Sequence, residues 1–199
     1  RRTRAVGIDR FFKAAIEDLQ TLLKLDATNA EIRLQIGSVY VLDERPSKAI
    51  EIFSDVIKDD AENWMALRAR GDAYLSTSRQ AEAIADFEAA FKLKADSDGL
   101  LNNLAWVLAT SPDDKLRDGK RAIELAKQAC EVTEYKQAHI LSTLAAGYAE
   151  SGDFGSAVDW SKKAVALGAD GLKEQLQKEL ESYEAHKPWR EALPPQDDP

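Results

Sequence analysis

The sequence predicts an all-α fold: a solenoid of about four stacked helix pairs, with a partial pair in front and a capping helix behind. Three observations predict it. Residues recur at intervals of 34: Ala15-Ile16, Ala49-Ile50 and Ala83-Ile84; Leu19, Phe53 and Phe87; Gly37 and Gly71; Tyr40 and Tyr74. Such a period marks stacked units, because one short helix pair buries its apolar face only against its neighbours. Within a unit, Ile36 and Tyr40, then Ala49, Ile52, Phe53 and Val56, fall three or four residues apart, the spacing of one helix face. Alternation of β-branched and polar residues is absent. Breakers separate the stripes instead: Asp43-Glu44-Arg45-Pro46-Ser47, Ser76-Thr77-Ser78, Asp96-Ser97-Asp98-Gly99 and Ser151-Gly152-Asp153.

The elements follow in order. Residues 1–29 hold a partial pair, because Phe12, Ala15-Ile16, Leu19, Leu22 and Leu25 read as a second helix whose first is cut short. Residues 30–63 form the first full pair, with Ile36-Gly37 and Tyr40 on one helix and Ala49, Phe53 and Val56 on the other. Residues 64–97 repeat it with Gly71, Tyr74, Ala83, Phe87 and Ala90. Residues 98–137 carry Leu104-Ala105, Leu108, Ala122 and Ala129. Here Ala105 and Ala122 lie 17 apart where Gly37 and Ala49 lie 12 apart, so the turn over 111–119 is lengthened. Residues 138–171 supply Leu144-Ala145, Tyr148, Ala157 and Ala164. Small residues in both helices of a pair let the two axes approach. Residues 172–187 form an amphipathic helix with a charged outer face, as the end of a solenoid requires. Pro188 stops it, and 188–199 reads as a disordered acidic tail.

Composition bounds the function. The 199 residues include 27 Lys plus Arg and 35 Asp plus Glu, a net charge of −8, with 44% apolar residues. A core can form. The acidic balance argues against nonspecific nucleic-acid binding, which needs cations to replace counterions. No apolar run is long enough to cross a bilayer. One cysteine, Cys130, excludes an internal disulfide and reads as a small packed hydrophobe. His139 and His186 are the only imidazoles and are far apart in sequence. No His-x-x-x-His, Cys-x-x-Cys, Gly-x-Ser-x-Gly or phosphate loop is present. These residues give no skeleton for an enzyme and imply no cofactor. The turn acids Asp113, Asp114 and Asp118 lack the alternation and distal Glu of a calcium loop. Asp118 reads as an N-cap for the following helix.

The repeated residues resemble the tetratricopeptide repeat (TPR), whose family pattern places a large residue, then Leu-Gly and Tyr, in the first helix and Ala, an aromatic and Ala in the second. The resemblance covers about 9–171. It implies a right-handed superhelix of helix pairs. The run from Asn102-Asn103-Leu104-Ala105-Trp106 through the long turn to Ala122-Ile123-Glu124-Leu125-Ala126 is similar to a variant common in bacterial TPR proteins. That variant often lies near the carboxyl end of larger polypeptides. With the missing initiator Met, this leads us to expect a C-terminal piece of a larger protein. Arg70 departs from the pattern, which buries a Leu there, so its stem should pack while its guanidinium reaches a carboxylate or solvent.

The resemblance also implies a concave groove lined by the first helix of each pair at its second, fifth, ninth and twelfth positions. These are Glu31, Leu34, Ser38 and Val41; Met65, Arg68, Asp72 and Leu75; Gly99, Asn102, Trp106 and Ala109; His139, Ser142, Ala146 and Ala149. From them, with Asn103 one place along, we select Arg68, Asp72, Asn102, Asn103, Trp106 and His139 as peptide-binding candidates. Asn binds a peptide backbone through one donor and one acceptor. Arg68 suits a carboxylate or carbonyl, and Trp106 an amphipathic anchor. The competing reading has Trp106 packing between repeats and Arg68 pairing with Asp72 one turn away. Leu34 and Ser38 stand where the chaperone-carboxylate clamp of some TPR proteins needs Lys and Asn, which argues against that ligand.

The expected function is therefore noncatalytic binding of a protein or peptide partner in the groove. The alternatives are an oligomerisation or spacer segment, self-associating through the open N-terminal repeat, and an accessory part of a larger enzyme whose active site lies upstream. The sequence leaves the compartment open between cytoplasm and periplasm or secretion.

Overall fold

The computed structural model describes residues 6–192, with side chains from Arg10 onward. Ten α-helices occur among them: α1 Val6–Leu23, α2 Ala30–Leu42, α3 Pro46–Asp59, α4 Trp64–Leu75, α5 Gln80–Leu93, α6 Asp98–Thr110, α7 Gly119–Val132, α8 Ala138–Glu150, α9 Phe154–Leu167 and α10 Asp170–Glu184. The helices pack pairwise, as the period predicts. α1 packs against α2.

Local chemistry repeats with the same period. Asn29, Asn63 and Ser97 each cap the next helix, accepting from the backbone N–H of Ile32, Ala66 and Leu100. Each cap satisfies one of the orphan donors at a helix start. The turns inside the pairs also share one geometry. Glu44, Ser78 and Gly152 adopt positive φ of 55°, 61° and 84°. The next residue donates back to a tyrosine carbonyl: Arg45 to Tyr40, Arg79 to Tyr74 and Asp153 to Tyr148, at 2.9–3.0 Å. This is the left-handed closure that ends a helix while using its last carbonyls.

The chain divides into two compact units, residues 1–93 and 94–199. In the first, α1 to α5 pack in succession and α2 also touches α4. Its core gathers Ala49, Phe53 and Ala73, with Leu34, Tyr40, Val41, Ile50 and Ala69 against them. The glycine columns have a direct cause. A Cβ on Gly71 would stand 2.5 Å from Cε1 of Phe87, and the same clash would arise between Gly37 and Phe53. The aromatic ring of the second helix occupies the space where the first has no side chain. Arg70 reaches a carboxylate as expected, bonding Asp86 with Nε and Nη2 at 2.7 and 2.8 Å and Ser54 with Nη1 at 3.0 Å.

In the second unit α6 to α10 pack in succession and α6 also touches α8. Leu100, Leu104, Ala105, Ala122, Ala126, Leu144, Ala145 and Ala157 are buried, and so is Cys130. The long turn contains a 3-10 helix at Asp114–Leu116. Asp118 caps α7 as expected, accepting from the Arg121 N–H. Helix α10 begins at Asp170 and buries Leu176, Glu179, Leu180 and Tyr183, a stripe at helical spacing that includes one carboxylate.

The tail expectation needs correcting at its start. The segment is not free there: Arg190 and Glu191 lie against α6 and are hydrogen-bonded to it. The reason is that α6 ends with unused carbonyls that need donors, which local composition does not register. Residues 193–199 lie outside those described, as do 1–5.

Candidate functional site

In the first unit the α2 and α4 positions assigned to the groove stay partly open. Ser38 and Met65 are exposed, while Leu34, Val41, Arg68, Asp72 and Leu75 are half-buried. The opposite face of α4 is closed: Ala66, Leu67, Gly71, Ala73 and Tyr74 are buried. Arg68 Nε lies 3.9 Å from the Asp72 carboxylate, one turn on. This is the pairing weighed in the sequence, and at this length and exposure it is a loose contact that another polar group can enter. The face thus presents one thioether, apolar stems and two opposite charges.

In the second unit four of the eight corresponding positions are covered by the chain itself, while Gly99, Asn102 and Trp106 are half-buried and His139 is exposed. Ala109, Ser142, Ala146 and Ala149 are buried. The Ser142 hydroxyl donates to the Glu179 carboxylate of α10, which also accepts from Gln175 Nε2 at 2.9 Å. Glu179 is 1% exposed, and its burial pushes its carboxyl pKa above the ordinary range, with Glu191 nearby as a further like charge.

The C-terminal segment completes the cover. The Trp106 indole Nε1 donates to Glu191 Oε2 at 2.9 Å, and the Glu191 backbone N–H donates to the Thr110 carbonyl at 2.9 Å. Arg190 Nη1 donates to the Ala109 carbonyl at 3.3 Å, and Nη2 lies 2.5 Å from Glu150 Oε2. Arg117 takes the other oxygen of Glu150 at 2.9 Å and donates to the Ser111 carbonyl at 2.8 Å. Two guanidiniums therefore bracket one carboxylate at the carboxyl ends of α6 and α8. A cation is favoured there by both the carboxylate and the helix dipoles.

The six sequence candidates separate accordingly. Arg68 and Asp72 share one face of α4. Asn102 and Trp106 lie one turn apart on α6, and Asn102 Nδ2 donates to Asn103 Oδ1 at 3.4 Å, leaving the buried Asn102 Oδ1 without a hydrogen-bond partner. Trp106 is bonded to the chain's own tail. His139 is exposed in the first turn of α8. Sequence reasoning missed Thr110, Arg117, Glu150, Arg190 and Glu191. Most of their partners lie dozens of residues away and follow no period, so the repeat offered no signal for them. No group of three His, Cys, Asp or Glu side chains suited to a metal occurs among the described residues. No helix among them is long and apolar enough to cross a membrane.

Comparison with known proteins gives this geometry its context. Residues 34–98 match the family model described as Tetratricopeptide repeat. The chain is similar to DnaJ homolog subfamily C member 3 of Mus musculus and of Rattus norvegicus, 33% identical over 86 residues in each case. That match covers 41% of this chain and spans only 17% of those relatives' length. Among solved structures the fold is similar to MamA, with a TM-score of 0.65 and 23% identity over 84% of this chain and 91% of that one. It is also similar to TTC0263, a thermophilic TPR protein of Thermus thermophilus, with a TM-score of 0.64 and 17% identity over 87% and 91%. The architecture is thus an all-α, TPR-like repeat fold, of a kind that generally serves protein interaction.

Proposed function

We propose that the chain is a noncatalytic interaction module that holds a segment of another polypeptide against the first helices of its repeats. The observation that carries this is the α4 face: Met65, Arg68, Asp72 and Leu75 remain accessible at the positions the repeat assigns to ligand contact, while the opposite face of the helix is buried. A face built on packed helices is rigid before the ligand arrives, so binding loses little conformational entropy. The second unit carries its own proposed contact residues, Asn102, Asn103 and Trp106 on α6 and His139 on α8.

The test is capture of partner polypeptides by the wild-type chain and by Met65→Ala/Arg68→Ala. Both substitutions are on an open surface and should leave the helical circular dichroism unchanged. Loss of capture supports the reading. Unchanged capture by the folded variant removes α4 from the contact set.

A second reading rests on its own observation. Phe11, Leu22 and Leu25 are 69%, 50% and 85% exposed on and just after α1. Such apolar surface at the partial repeat favours self-association. Light scattering across concentration separates the two: a constant monomer mass supports the binding module, and a mass that doubles and reverts with Leu22→Gln/Leu25→Gln supports oligomerisation.

A further inference from the structure

Resting on the reading of first-helix faces as ligand surfaces, we infer that the segment 188–191 is an internal occupant of the α6 face, and that the partner taken there is an extended peptide presenting an arginine followed by an acidic residue, which exchanges with this segment.

Each contact of the segment is one that a separate peptide can make. A backbone N–H meets the Thr110 carbonyl, a carboxylate meets the Trp106 indole, and a guanidinium meets the Ala109 carbonyl and Glu150. None depends on the chain connection. Trp106, Ala109 and Thr110 occupy one face of the last turn of α6, which includes two positions the repeat assigns to ligand contact.

The face also demands an occupant of this chemistry. With the segment gone, the Ala109 and Thr110 carbonyls, at a helix end, have no donor from within the helix. The Trp106 N–H loses its acceptor, and Arg117 bonds only one oxygen of Glu150. A guanidinium, an N–H and a carboxylate in extended order supply all of these. One feature makes the internal occupant replaceable: it follows a turn in which His186 has φ of 57°, so the chain has left α10 before it reaches the α6 face.

The experiment uses the full chain, its Arg190→Ala/Glu191→Ala variant, and a fluorescein-labelled peptide Lys-Pro-Trp-Arg-Glu-Ala with blocked ends. Clearing the face in place should raise the peptide's apparent affinity by about tenfold or more over wild type, because the competent fraction rises. Trp106→Phe or Glu150→Gln in the cleared background should abolish the gain, as should replacing Arg and Glu by Ala in the peptide. In wild type, peptide addition should speed hydrogen exchange of the Glu191 amide. Equal affinity for wild type and the cleared variant, or no binding by a variant whose melting curve shows it folded, overturns the inference. So does a wild-type dimer that dissociates with peptide, which would assign the face to a second copy. The α4 capture is a separate measurement, so failure here leaves that reading standing.

Discussion

Arg70 and Asp86 form a two-point ion pair, Nε and Nη2 on the two carboxylate oxygens at 2.7 and 2.8 Å, at a repeat position where the TPR pattern buries a leucine. The pair is largely shielded, with side-chain exposures of 20% and 9%. Removing Asp86 alone strands a guanidinium, so Asp86→Ala should lower unfolding free energy by about 3 kcal/mol. Adding Arg70→Leu should recover most of that loss, because a buried pair contributes little more than well-packed apolar residues. Urea denaturation of the two variants checks both statements.

Gly71 exists to admit the Phe87 ring. Gly71→Ala should cost about 2 kcal/mol, because the new Cβ meets the ring carbons and the core must shift. Phe87→Leu should cost less in the Gly71→Ala background than alone. A thermal-melt double-mutant cycle reads that coupling. Additive costs would show that the ring and the glycine do not share one space.

These two sites mark what was legible in the sequence. The period of 34 displayed Gly71 and Phe87 as columns, and the break in the pattern at Arg70 implied a carboxylate or solvent without choosing between them. Asp118 was legible as a cap because capping is local. The cover over α6 was not. Trp106 to Glu191 and Glu150 to Arg190 join parts of the chain that no period relates, and short-range composition around Pro188 reads only as a tail. The register put Trp106 among the ligand-facing positions, and its partner in the structure, Glu191, depends on tertiary geometry that no register conveys.

Glu179 predicts a pH dependence. Its burial raises the folded-state pKa, so at pH between the ordinary carboxyl range and that raised value the folded state holds a proton the unfolded state has released. Its contribution to stability is therefore full at low pH and is lost as pH rises through the folded pKa. Glu179→Gln keeps hydrogen bonding to Ser142 or Gln175 and removes the charge. It should stabilise the protein at neutral pH by on the order of 1 kcal/mol, with the gain shrinking as pH falls. Melting temperatures of both proteins across the range from about pH 4 to about pH 8 check the sign. A gain that grows toward acid would contradict it.

Cys130 should be silent in the native state. It is fully buried, and desolvation pushes its thiol pKa up to about 11. An aromatic disulfide reagent at neutral pH should react only at the rate of opening or unfolding, and stoichiometrically in denaturant. Rapid labelling of the folded chain would show that α7 and α8 part more readily than their packing implies.

The most direct measurement of the central claim is site-specific photo-crosslinking in cells that naturally contain the protein. The benzophenone amino acid is placed either at Met65, on the open face of α4, or at Leu93, an exposed position at the end of α5. If first-helix faces hold another polypeptide, position 65 yields discrete covalent adducts that position 93 does not, and Arg68→Ala weakens them. Adducts identical at the two positions, or none at 65 from a folded and illuminated protein, would contradict the account.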